Sequence, residues 1–169
     1  MIRLATLNDI DIIWDLRLKT TKLLKDRNID QWQYNNPSKK TFIDDINLKE
    51  LYVYELNQQI IGMIAIKSGI EKTYLKIYDG HWSYDKPYMT IHRLAIHQEF
   101  LGKKIADQLV FFADQLAKSK HIDYMRIDTH IDNKYAIKLF TNHNYKKVGY
   151  ILLEQDQGDL KRLAFDKLI

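Results

Sequence analysis

From Tyr88 to Val110 the chain reads YMTIHRLAIHQEFLGKKIADQLV, and its apolar positions change period partway along. Over Met89–Ile96 they alternate, with Met89, Ile91, Arg93 and Ala95 on one side and Thr90, His92, Leu94 and Ile96 on the other. This is the period of a strand, bounded by Pro87 and by the polar run after Ile96. From about Gly102, the residues Ile105, Leu109, Phe112, Ala113 and Leu116 fall at helical spacing. A strand passing through a short turn into a helix leaves the first-turn N–H groups without intrahelical acceptors, and the helix dipole there favours an anion. Lys103 and Lys104 reinforce that sign. The same pattern also describes a buried strand, a tight connection and a packing helix with no ligand, which any α/β unit contains.

Upstream, Ile2–Ala5 predicts a short strand running directly into Thr6-Leu7-Asn8-Asp9. Thr6 or Asn8 can cap a helix to about Asp26, with Ile10, Ile13, Trp14, Leu16, Leu18, Leu23 and Leu24 as its stripe. Asn28–Tyr34 follows neither period and ends in the turn signal Asn35-Asn36-Pro37-Ser38, after which Ser38 caps a short helix through Asn47. Leu51–Leu56 and Gln59–Lys67 form a close hairpin turning at Asn57-Gln58. Ser68–Lys86 is irregular, with Tyr74, Ile77, Tyr78, Trp82 and Tyr84 among polar residues. It either extends the hairpin strand and turns back or forms a long loop over a site. Beyond the central stretch, His121–His130 predicts a strand with Ile122, Tyr124, Arg126, Asp128 and His130 on one face. A helix follows from about Asn133 to Asn142, and Tyr145–Glu154 and Lys161–Leu168 close the chain as a strand pair across Gln155–Asp159.

Composition narrows the class. At 169 residues, with 46% hydrophobic and 28% charged residues, the chain is expected to be one domain, residues 1–169, able to bury a core without covalent staples. The absence of cysteine excludes disulfides, thiolate metal sites and a cysteine nucleophile. Arg3, Asp9 and Asp11 interrupt any signal-peptide pattern, and no apolar run reaches transmembrane length, so a cytoplasmic location and no membrane partner are expected. The 26 basic against 22 acidic residues give a net charge of +4, spread rather than gathered; this suits an anionic ligand and disfavours a nucleic-acid interface, which needs a basic stripe. No P-loop and no paired His/Glu helix motif is present, so no metal is expected.

The Tyr88–Val110 stretch resembles the acetyl-CoA-binding segment of the GNAT superfamily of N-acetyltransferases. In that family the strand ends in a bulge whose amides bind the pantetheine arm, and a Gln/Arg-x-x-Gly-x-Gly/Ala turn wraps the pyrophosphate. With Ala95-Ile96-His97 ending the strand, Leu101 stands at the Gln/Arg place, Lys104 at the first Gly and Ala106 at the last position, with Gly102 and Lys103 inside the turn. Asn133-Lys134-Tyr135-Ala136-Ile137-Lys138-Leu139-Phe140 is similar to the family's Asn-x-x-Ala-x-x-Leu-Tyr helix start, and Asn144-Tyr145 replaces its Gly-Phe. Asp30-Gln31-Trp32-Gln33, Trp82, His92-Arg93-Leu94-Ala95 and Asp128-Thr129-His130 are similar to one bacterial branch of the superfamily. The resemblance implies an α/β (α+β) fold with a mixed, mostly antiparallel central sheet flanked by helices. It also implies acetyl-CoA as co-substrate, held by Leu94, Ala95, Ile96, Leu101, Gly102, Lys103, Lys104, Ile105, Ala106, Asn133 and Phe140.

Acyl transfer from a thioester to an amine needs donors for the oxyanion, a route for the ammonium proton and a proton for the leaving thiolate. The resemblance assigns the donors to backbone amides around Leu94 and Ile96. Asp128, His92 and His130 are the candidates for base or ammonium anchor, each with a structural alternative as a salt-bridged or otherwise satisfied polar group. Phe140 stands where the family often carries an acid tyrosine. Trp32, Trp82 and Tyr84, large aromatics in aperiodic segments, are either lids on the core or walls of an acceptor pocket. The expected partner is a small-molecule or peptide amine, and a homodimer is compatible with the chain. Lys104 and Phe140 motivate the alternative, a GNAT-fold protein that binds acyl-CoA as a sensor or scaffold without catalysis.

Overall fold

The computed structural model describes all residues, Met1–Ile169. The elements are β1 (Ile2–Leu4), α1 (Ile10–Asp26), α2 (Lys39–Asn47), β2 (Leu51–Leu56), β3 (Gln59–Ser68), β4 (Met89–Ile96), α3 (Ile105–Ser119), β5 (Tyr124–His130), α4 (Lys134–Asn142), β6 (Lys146–Leu152) and β7 (Lys161–Leu168). One seven-stranded sheet has the order β1-β2-β3-β4-β5-β7-β6, antiparallel except between β4 and β5. The β2–β3 hairpin turns on Asn57 and Gln58, both at positive φ, which is the turn geometry whose twist matches that of paired strands. Ser38 accepts from the Thr41 amide and Asn133 from the Ala136 amide, so both predicted caps are made.

The sheet is covered on both faces. Ile61, Ile64 and Ile66 of β3 point into a core with Leu109, Val110 and Ala113 of α3 and Phe140 of α4. Their neighbours Ile60, Met63 and Ala65 point the other way, against Ile13 and Leu16 of α1 and Phe42 and Ile46 of α2. β3 is thus a central strand buried on both faces, which is why its sequence is almost continuously apolar. The Ser68–Lys86 segment is a long loop that holds one helical turn at Lys72–Tyr74. No helix is long and apolar enough to cross a membrane.

Alternation predicts Ala95 on the same side of β4 as Met89 and Ile91, and the structure corrects this. Met89 and Ile91 pack in the α3 core, whereas Ala95 packs in the α1/α2 core. The cause is a bulge. Met63 pairs with Ala95 and Ala65 with His92, so Arg93 and Leu94 together oppose one residue of β3. Arg93 takes φ 52°, a left-handed conformation that costs an L-residue roughly 1–2 kcal/mol. One inserted residue reverses the faces beyond it. Arg93 is held there by buried Asp45 of α2. Its Nη2 donates to Oδ1 at 3.2 Å, and Nε lies 2.7 Å from Oδ2 in a contact that is charge against charge, because the N–H is not aligned for a second hydrogen bond.

At the amino end, Arg3 donates to both Asp9 oxygens (2.8 and 3.0 Å) and to Glu55 (2.7 Å), and the Thr6 amide and hydroxyl donate to Asp9. The Arg3 hydrogen bonds, working against burial, hold the Asp9 carboxyl at about 2. A depressed carboxyl stabilises the fold only while ionised, so its contribution is complete above the ordinary value of 3.8 and disappears as pH falls through about 2. Chemical denaturation of wild type and Asp9→Asn should differ by roughly 2 kcal/mol near neutrality, with the gap closing between about pH 4 and about pH 2. A gap that stays constant over that window would assign the stabilisation to something other than the Asp9 charge. Asp45→Ala leaves the half-buried Arg93 guanidinium unpaired and should lower stability by about 2 kcal/mol. A loss below about 1 kcal/mol would mean that the bulge stands without its carboxylate.

Candidate active site

β4 and β5 pair only at Met89 with Met125 and at Thr90 with Arg126. Beyond those two pairs the strands separate, and a cleft of about 930 Å³ opens between them. Its walls include Ile91–Ile96 of β4 and Asp128 and Thr129 of β5. One end lies at the start of α3, with Leu101, Gly102 and Ala106 facing Lys138, Leu139 and Asn142 of α4. The other end lies between the α1–α2 loop (Gln31, Trp32, Asn36, Pro37) and the β6–β7 loop (Leu153, Glu154, Gln155), with Arg162 and Glu71.

The α3 end is built for an anion. The amides of Gly102, Lys104, Ile105 and Ala106 donate to no protein acceptor, while those of Leu101 and Lys103 are used within the preceding turn. Lys104, at the family's first glycine place, takes φ 60° and ψ 19°, the left-handed conformation that glycine adopts without penalty. The backbone shape is therefore kept although the residue type is not. The Lys104 side chain borders a shallow hollow with Gln108, Phe111 and Phe112, outside the cleft, and the Lys103 ammonium lies over the Phe100 ring at 4.7 Å. The lysine that does line this end is Lys138.

Polar side chains converge near the bulge. His92 Nε2 lies 3.0 Å from Glu71 Oε2, leaving Nδ1 without a protein partner. The bond from His92 holds the Glu71 carboxyl below the usual carboxylate range. Across the opening, Asp128 Oδ1 accepts from the Tyr74 hydroxyl at 2.7 Å, and the Tyr74 ring lies 6.3 Å from the His92 ring. Burial, followed by the charge of Asp128, pushes the Tyr74 phenol well above its ordinary value, so it remains a donor. Asn133 caps α4 with its oxygen and donates through Nδ2 to Gln31 at 2.8 Å, tying α4 to the α1–α2 loop. Arg162 is buried, which lowers its pKa, while the charges of Asp128, Asp30 and Asp159 act in the opposite sense.

The sequence candidates thus divide. His92, Asp128, Leu94, Ala95, Ile96, Leu101, Gly102, Ala106, Asn133, Phe140 and Trp32 line the cleft, whereas Ile105 is buried in the α3 core. His130 does not line it: Nε2 meets Asp159 at 3.1 Å, Nδ1 accepts from the Asp132 amide, and the side chain is sealed. Trp82 packs on Tyr74 and donates to its carbonyl, and Tyr84 packs edge-on against Tyr124, so neither reaches the cleft. Trp32 is both lid and wall, because it packs against the α1/α2 core while facing the opening. Glu71, Tyr74, Arg162 and Lys138 are additions. Arg162 and Asp166 flank the short apolar run Leu163–Phe165 of β7, so a charge there marks the strand without singling out Arg162; Glu71 sits in an aperiodic loop and carries no signal.

A family model described as the acetyltransferase (GNAT) family matches residues 15–145. A GNAT-family acetyltransferase from Streptococcus agalactiae is 30% identical and superposes over 100% of this chain and 95% of its own, with a TM-score of 0.89. A GNAT-family acetyltransferase from Listeria monocytogenes shares the fold at 18% identity and TM-score 0.75, over 100% of this chain and 94% of its own. The paia N-acetyltransferase of Thermoplasma acidophilum, solved with coenzyme A, shares it at 18% identity and TM-score 0.71, over 100% of this chain and 98% of its own. No curated protein sequence matches the chain.

If the free amides at the start of α3 receive a pyrophosphate, charge reversal should matter on the cleft side of that end and little on its outer side. Calorimetry with coenzyme A should give roughly tenfold weaker binding for Lys138→Glu and a smaller loss for Lys104→Glu. Equal losses, or none for Lys138→Glu, would relocate the anion.

Proposed function

Because this chain belongs to the GNAT acetyltransferase family, we propose that it transfers the acetyl group of acetyl-CoA directly to a primary amine, with no covalent enzyme intermediate. The observation that carries this reading is the separation of β4 from β5 beside the Arg93–Leu94 bulge. It brings a cleft, free amides, His92 held by Glu71 and Asp128 held by Tyr74 to one opening. The donor fits the residues present. The amides of Gly102 and Lys104–Ala106 hold the pyrophosphate with Lys138 alongside, and the strand edge from Leu94 to Ile96 holds the pantetheine arm and supplies oxyanion donors. Acetyl-CoA contributes the activated thioester.

The chain's own side chains manage the acceptor. Asp128, fixed by Tyr74, is an anion beside the slot and holds the incoming ammonium. His92, with Nε2 fixed by Glu71, presents Nδ1 as the base that takes the ammonium proton. The free amine adds to the acetyl carbon to give the tetrahedral oxyanion; as this collapses the carbon–sulfur bond breaks and the nitrogen releases its second proton to water. Phe140 offers no hydroxyl, so the departing thiolate takes its proton from water. Trp32 walls the acceptor end; Trp82, Tyr84 and His130 support the surrounding core.

The roles separate in steady-state kinetics followed by thiol release from acetyl-CoA over a panel of amines. His92→Gln should lower kcat by about 100-fold and remove the acidic limb of the pH profile. Asp128→Asn should raise the acceptor KM roughly tenfold with a smaller effect on kcat. Wild-type kcat and pH profile in His92→Gln would remove His92 as the base. Acetyl-CoA binding with no thiol release from any amine would favour a sensor or scaffold instead.

A further inference from the structure

Arg162 is an unusual cation for its surroundings. It is 3% exposed, yet it lines the acceptor end of the cleft. Its hydrogen bonds run only to backbone carbonyls, from Nη1 to Asp159 and Lys161 and from Nη2 to Asp30, the last a long 3.4 Å. Nε donates to nothing in the protein and is not sealed from solvent. The carboxylates around it act at a distance and none bonds it: Asp128 bonds Tyr74, Asp30 the Asp159 amide, and Asp159 His130. A guanidinium this deeply buried without a carboxylate in contact is costly to keep charged unless an anion completes it. Its free Nε edge, together with the weakly used Nη2, is the fork that receives a carboxylate through two parallel hydrogen bonds.

The same residue lies beneath a closure. Asn36 donates to Gln155 at 2.8 Å, the Asp159 amide donates to Asp30 at 2.7 Å, and Gly158 packs so tightly that a Cβ there would meet the Tyr34 ring at 2.7 Å and the Asp30 carboxylate at 2.9 Å. The α1–α2 and β6–β7 loops are therefore joined side by side where an acceptor would enter. A continuous polypeptide would have to hold them apart for the whole reaction, whereas a small molecule lies beneath once they have rejoined.

Building on the acetyltransferase reading, we propose that the acceptor is a small free amine that also bears a carboxylate, its carboxylate on the Nε edge of Arg162 and its amine toward His92 and Asp128. Recognition is then bipolar: the cation of the acceptor meets Asp128 and its anion meets Arg162.

The test is thiol release from acetyl-CoA with matched acceptors: α-amino acids, the amines formed by removing their carboxyl groups, and short peptides with a free N-terminus. In the wild-type protein the carboxylate-bearing member of the preferred pair should have a kcat/KM at least about tenfold above its decarboxylated partner, because a site built to bond a group discriminates against the analogue that lacks it. The peptides should give no detectable rate. Arg162→Lys and Arg162→Gln should bring the ratio toward one; because Arg162 also holds two loop carbonyls, the wild-type ratio stands as the decisive measurement whether or not those variants fold. Turnover of decarboxylated amines or peptides as fast as amino acids overturns the acceptor assignment and leaves acetyl transfer intact. Absence of turnover with every acceptor overturns both.

Discussion

Beside the cleft a cation is held in a conformation that its residue type would not choose. Arg93 takes φ 52° in the middle of a strand, and Asp45, buried in α2, is the group that holds it. The attraction is an ion pair at the edge of the core, its carboxylate buried and its guanidinium half-buried beside the cleft. The bulge reverses the faces along β4, and beside it lie the end of pairing with β5 after Thr90 and the slot that His92 and Asp128 line. The bulge is also where α1 and α2, which pack on one face of the sheet, exert leverage on a site opening between two strands.

Charge is distributed around the slot in pairs rather than singly. Glu71 with His92 and Tyr74 with Asp128 each fix one polar atom with another, so that the second atom of the pair faces the opening in a set orientation. Such pre-orientation is what a reaction between two bound molecules asks of a protein: the groups do not reorganise when charge develops. Lys138 stands unpaired at the α3 end, and Arg162 is held by carbonyls and left with an unfilled edge.

Much of this was legible in the chain itself, for reasons that differ by residue. Helices and strands declared themselves because α1, α3 and β3 carry apolar residues at periods that local geometry enforces. Ser38 and Asn133 were readable as caps because a side-chain oxygen at that place has one job. The alternation in β4 misled, since a bulge removes one residue from the count and nothing in Arg93-Leu94 announces a positive φ. His130, two residues beyond Asp128, points toward the same face and yet lies under the β6–β7 loop, because the loop that claims it, through Asp159, is 29 residues away. Trp82 and Tyr84 looked like pocket walls only because their segment had no period; their partners Tyr74 and Tyr124 are distant or aperiodic too. Contacts between irregular segments have no repeating signature, and Glu71 reached the slot unannounced for that reason.

The loop-to-loop closure at the acceptor end is made of hydrogen bonds that sit at the surface. Asn36 with Gln155 and Asp159 with Asp30 are both open to water, which can replace each bond at small cost, so the two loops part and rejoin far more readily than the core around them. Loops of this kind move on nanosecond to microsecond timescales. Entry of the acceptor and exit of its acetylated form therefore pass through a rim that opens and closes many times within one catalytic cycle, so the closure screens what enters without limiting the rate. A bond of two uncharged side chains at the rim thus sorts what reaches the chemistry within.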